Sequence, residues 1–178
     1  YKKINDEKKV IKNNTELFYH IFYLDYTMEN FDRAFNKINK LFKFNLKELY
    51  DDLLENLLKI QAIDENNPYP YFYLGKLYLR LNEIEKSLTQ LIKGLKINNG
   101  LADPIINLIN KQNIDTNEYP FMLRLKAMCY YFKQNFNKTI EYLDNYYSVN
   151  KSENTYEFIN NLLSDIQMNI GPKSFLLL

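Results

Sequence analysis

His20 and Cys129 are the single histidine and the single cysteine of the chain, and they bound its chemistry. One histidine cannot make a histidine-based metal site or a His–His acid–base pair. Flanked by Tyr19 and Ile21, it reads as a helix-surface or packing residue. One cysteine leaves no intramolecular disulfide and no cysteine-rich metal site. Cys129 sits between Met128 and Tyr130 and reads as a small core hydrophobe rather than a nucleophile. Asp51, Asp52 and Glu55 fall on the polar face of a helical stretch. Asp51 and Glu55 are like charges four residues apart, which suits a solvated face better than an acid–base pair or a calcium site. No GxSxG, P-loop, GxGxxG or HExxH pattern occurs. The expectation is a non-enzyme with no metal and no cofactor.

The chemistry on offer is aromatic instead. The chain holds 16 Tyr, 12 Phe and no Trp among 178 residues. Arg33, Arg80 and Arg124 are the three arginines among 23 basic side chains, and the net charge is +1. That balance argues against a dedicated nucleic-acid binder or a polybasic membrane binder. Lys, Asn, Ile and Tyr have A/T-rich codons, so their abundance fits an AT-rich genome and carries little meaning by itself. Hydrophobic residues make up 46% and charged residues 25%, the composition of a folded globular chain. No run of 18 apolar residues is present to span a membrane. The first residue is Tyr1 rather than Met, as expected of a trimmed fragment. The compartment is therefore left open between the cytoplasm and the cell envelope or periplasm.

Elements that could position these aromatics are helical nearly throughout. With 4 Gly and 5 Pro, the chain has too few turn formers for a β-rich fold. Residues 1–13 are polar and are expected to be a flexible segment. Leu17, Phe18, Ile21, Phe22 and Leu24 keep helical spacing, as do Phe31, Ala34, Ile38, Leu41 and Phe42. The cleanest stripe is Leu46, Leu49, Tyr50, Leu53, Leu54, Leu57, Leu58 and Ile60. Further helices are expected over about 69–81, 84–97, 103–110, 120–133, 136–147 and 152–170. Asn98, Asn99 and Gly100 end the second of these with residues that tolerate left-handed geometry. About nine helices result, in one domain over residues 14–172.

An internal repeat organises them. Phe31, Ile84 and Phe136 are each followed three positions later by a small residue, Ala34, Ser87 or Thr139, and lie 53 and 52 residues apart. The chain thus divides into units of about 15–62, 68–112 and 119–170. Each holds a helical hairpin and one extra helix.

Within the middle unit, Tyr71-x-x-Leu74-Gly75-x-x-Tyr78 is followed by Ser87, Leu91 and Gly94 on the next helix. This pattern resembles a tetratricopeptide repeat, with Tyr71 in place of the usual Trp. Gly75, Ser87 and Gly94 would let the two helices approach, while Tyr78 and Leu91 fill the seam. The third unit matches less well, because Lys126 replaces the leucine, and the first unit matches least. The resemblance implies an all-α, right-handed array of antiparallel helical hairpins.

It also implies a groove. The family lines its concave face with the second, fifth, ninth and twelfth residues of each first helix. Here those are Tyr69, Phe72, Lys76 and Leu79, with Arg80 adjacent, then Phe121, Arg124, Met128 and Tyr131. In the first unit they are Glu16, Tyr19, Tyr23 and Tyr26. Family members that clamp an acidic carboxyl terminus use Lys and Asn at the fifth and ninth positions, a pair this chain lacks. The expected function is a non-catalytic scaffold that binds a partner helix or peptide through an aromatic groove. The other class considered is a carrier of a small apolar ligand. The apolar end, residues 173–178, is expected to dock or to mediate self-association.

Overall fold

The computed structural model describes Ile38, residues 50–112 and residues 114–170. Every regular element among them is helical. They are α1 (Tyr50–Ile63), α2 (Pro68–Arg80), α3 (Ile84–Ile97), a short 3-10 turn (Asn99–Leu101), α4 (Ala102–Gln112), α5 (Phe121–Phe132), α6 (Phe136–Val149) and α7 (Glu153–Ile170). The described residues therefore hold seven α-helices, where the spacing predicts about nine for the whole chain. Apart from Ile38, which is helical, the two helices expected before residue 46 lie outside the described residues, as do the segments 1–13 and 173–178. The chain divides into two units, residues 1–56 and 57–178. In the first, Ile38, Tyr50 and Leu53 are buried. The second holds everything that follows.

Local chemistry places the helix ends. Asn67 takes an extended conformation and its side chain accepts a hydrogen bond from the Tyr69 N–H at 3.0 Å. Pro68 occupies the first helical position, where its missing N–H costs nothing. A cap of this kind is worth about 1 kcal/mol. The end of α3 falls at the expected residues without using left-handed backbone. Asn98 is extended (φ −142°, ψ 110°) rather than left-handed. Its side chain accepts from the Gly100 N–H at 2.8 Å and so opens the 3-10 turn that runs into α4. Helix α4 consequently begins at Ala102, just before the Asp103–Pro104 pair expected to start it.

Helices α2 and α3 form a close antiparallel hairpin. A Cβ built on Gly75 would meet Leu91 Cγ at 2.5 Å and Cδ2 at 2.6 Å, and one built on Gly94 would meet Tyr71 Cβ at 3.1 Å. The Ser87 hydroxyl donates to the Gly75 carbonyl at 2.8 Å, across the seam and fully buried. The hairpin α5–α6 places Ala127, Thr139, Leu143 and Tyr146 at the corresponding positions, all buried. There the Thr139 hydroxyl bonds the Asn135 carbonyl of its own helix instead.

The two hairpins turn in the same way 52 residues apart. Asn82 (φ 60°) and Gln134 (φ 56°) both adopt left-handed backbone. Glu83 N–H donates to the Tyr78 carbonyl, and Asn135 N–H to the Tyr130 carbonyl. Asn98 and Asn150 cap α3 and α6 with N–H bonds to the Gly94 and Tyr146 carbonyls. A third helix follows each hairpin: α4 after the first, α7 after the second. Helix α4 packs against α2 and α5, and α7 against α6. The main core lies between α3, α4 and α5, built on Leu91, Leu95, Ile105, Met122 and Leu125.

Two effects oppose each other at Gly75. Alanine favours a helix interior over glycine by about 1 kcal/mol, but overpacking a tight core costs about 1–3 kcal/mol. A Cβ at 2.5 Å from a buried branch point places the balance on the side of overpacking. Gly75→Ala should lower the melting temperature, and Gly75→Leu should lower it further. Leu91→Ala made in the Gly75→Ala background should cost less than the two single changes predict together, as thermal melts read by circular dichroism would show.

Candidate functional site

The groove positions on α2 are half-buried or buried. Tyr69 and Phe72 pack as partly covered rims on the main core. Phe72 meets Tyr73 edge-on at 5.3 Å. Leu79 is 6% exposed and belongs to that core. Lys76 is half-buried, with its Nζ 5.8 Å from the Tyr73 ring centroid. Burial, reinforced by the neighbouring Arg80 and Lys111 charges, lowers its ammonium pKa to about 8. Arg80 lies in the last turn of α2, half-buried.

The positions on α5 divide differently. Met128 is 7% exposed and sits in the main core, and Tyr131 is half-buried against Phe132 and Phe136. Phe121 is 45% exposed, one of the large apolar side chains left open to solvent. Its ring lies 6.1 Å from that of Tyr146, which in turn meets Phe158 of α7 at 6.3 Å, edge to face. The Arg124 guanidinium carbon is 4.2 Å from the Phe158 ring centroid. Arg124 Nε is buried and has no hydrogen-bond acceptor. The Tyr146 hydroxyl is fixed from below by Asn150 Nδ2 and Thr155 Oγ1, each at 3.3 Å. The positions Tyr19, Tyr23 and Tyr26, with Glu16, lie outside the described residues.

A second aromatic feature lies on the same hairpin. Tyr130 and Tyr142 stack at 5.3 Å with their planes 5° apart. Lys138 Nζ stands 4.9 Å from the Tyr130 centroid and Lys126 Nζ 5.5 Å from that of Tyr142. A lysine thus approaches the ring of each member of the stacked pair. Burial lowers the Lys126 pKa and raises that of Tyr142. The equivalent pair on the first hairpin is Lys86 over Tyr78, at 5.6 Å. Lys126 takes the position of the buried Leu74 but stays half-buried, with its ammonium over the Tyr142 ring.

Cys129 is fully buried, and burial, helped by the Asp103 charge, pushes its thiol up to about 12. Asp51, Asp52 and Glu55 are exposed. Among the described residues no group of His, Cys, Asp or Glu side chains could hold a metal ion. No helix among them is long and apolar enough to cross a membrane. An open cleft of about 330 Å³ lies at the α2–α3 turn between Asn82–Lys86 and Tyr119, and no groove position lines it.

Two residues of the α5 cluster lay beyond the groove pattern. Tyr146 sits in the second-helix stripe, and Phe158 is set four residues before Leu162 and eight before Ile166 on α7. That spacing marks Phe158 as facing inward, but only the packing of α7 brings it under Arg124. No protein-family model and no curated protein sequence matches the chain.

The Lys76 shift has a definite sign. Its ordinary pKa is 10.5, so between about pH 8 and 10.5 the unfolded chain holds a proton that the folded chain has released. Stability contributed by this group therefore rises with pH across that window. Cys129 acts in the opposite direction above its ordinary 9.0. Lys76→Met should raise the melting temperature most near pH 7, with a difference that narrows by pH 9; a difference independent of pH would contradict this. Iodoacetamide should label Cys129 rapidly in denaturant and slowly in the native protein.

Proposed function

We propose that this chain is a non-catalytic protein-interaction scaffold of tetratricopeptide-like architecture. The support is geometric. Two hairpins repeat their turn hydrogen bonds, left-handed turn residue and helix caps at a 52-residue interval. Each is followed by a helix that packs back on it, so the unit is a hairpin plus one. Right-handed stacking of such units is the arrangement this reading adopts.

A single observation carries the functional half. On α5 the groove positions do not all sink into the core: Phe121 stays exposed while Arg124 and Tyr131 stay half-open. Exposed aromatics beside an arginine, on helices held rigid from behind, are what interface hot spots are made of. The underlying helices are already ordered, so a partner would bear most of the ordering entropy on association. The partner is another protein, bound as a helix or extended peptide.

Affinity capture followed by mass spectrometry tests this, using the wild type beside Phe121→Ser and Tyr131→Ser. A protein retained by the wild type should be lost from both variants while their melting temperatures stay within a few degrees. Equal capture by all three would remove the groove from the reading. A lipid carried through purification and seen in the native mass spectrum would point to a ligand carrier instead.

A further inference from the structure

We propose that Arg124 and Phe121 form a subsite for an acidic side chain neighbouring an apolar one on a partner peptide. This rests on the interaction-scaffold reading and adds the chemistry of what is bound. The guanidinium is held against Phe158, and its carbon lies 4.2 Å from the ring centroid. The buried Nε has no acceptor. No carboxylate among the described residues pairs with Arg124, and Glu157, next to Phe158 in sequence, is exposed and forms no ion pair with it. Nε itself is closed to a ligand, so an incoming acceptor would meet the outer nitrogens of this half-buried guanidinium, which no carboxylate among the described residues neutralises. Charge-assisted bonds are about twice as strong as neutral ones, so a carboxylate answers better than a carbonyl.

The neighbouring charges narrow the ligand further. The other basic side chains on or beside α5 are engaged: Lys126 lies over Tyr142, and Lys133 is paired with Asp103. Arg124 therefore offers one cation rather than a cluster, which suits a single carboxylate better than a phosphate dianion. Phe121 lies three residues before Arg124, on the same helix face. Its exposed ring backs onto Tyr146 and offers an apolar shelf about one helical turn from the charge. A helical ligand matches with Asp or Glu three or four positions from Leu, Ile or Phe.

The test is selection from a random-peptide phage library on the intact chain, followed by synthesis of the enriched peptides. These should carry an acid beside an apolar residue. Arg124→Gln should weaken them about tenfold or more, and Arg124→Lys should recover part of the loss. Added salt should weaken binding to the wild type and not to Arg124→Gln. Phe121→Ala, a change at an exposed position, reads the apolar half and stands in if the arginine variant loses helicity. Peptides that lack acids, or that bind Arg124→Gln as well as the wild type, would overturn the subsite and leave the scaffold reading intact. Failure to select any peptide would overturn both.

Discussion

The approach of α2 to α3 at Gly75 is the constraint on which the rest of the described structure depends. With no side chain at Gly75, the Leu91 branch point sits where a Cβ would otherwise be. That closeness brings Ser87 within 2.8 Å of a helix carbonyl on the opposite element, so a buried hydroxyl is satisfied without a water. It also fixes the far end of the pair, where Gly94 lies against Tyr71 and Leu101. Leu101 belongs to the turn that launches α4, and α4 is the helix that α5 packs on. The spacing of one helix pair thus propagates, through contact alone, into the placement of the next.

The second hairpin solves the same problem with different atoms. Ala127 stands where Gly75 does, and Thr139 bonds its own helix rather than crossing. Polar and aromatic contacts take a larger share of the holding. Tyr146 is pinned by Asn150 and Thr155, Ser152 caps α7 through the Thr155 N–H at 3.2 Å, and Phe158 closes over the end.

Most of the helical skeleton could be read from residue order. The stripes and stops over 68–170 anticipate α2 to α7 within a few residues, because caps and prolines act locally. The bend at Asn98 has a cause that its tolerance of left-handed geometry does not reveal. Its side chain, not a left-handed backbone, makes the bend, since a second helix begins at once and needs a donor satisfied at Gly100. The burial of the expected groove positions was not legible. Leu79 and Met128 obey the groove spacing, yet apolar residues at that spacing serve a core equally well, and α4 decides the matter by packing nearby. The meeting of Arg124 with Phe158, 34 residues later, has no local signal at all.

The stacked pair Tyr130–Tyr142 also gives the chain an optical handle. There is no tryptophan to dominate the near-ultraviolet spectrum, so the signal there belongs to tyrosine and phenylalanine. Two phenol rings 5.3 Å apart and nearly parallel couple their transitions, and they do so only while α5 and α6 hold their registry. Backbone helicity is seen at shorter wavelengths, where this pair contributes little. The two spectral windows therefore separate the formation of helices from their locking together. A state with helices formed and side chains unlocked would keep one signal and lose the other.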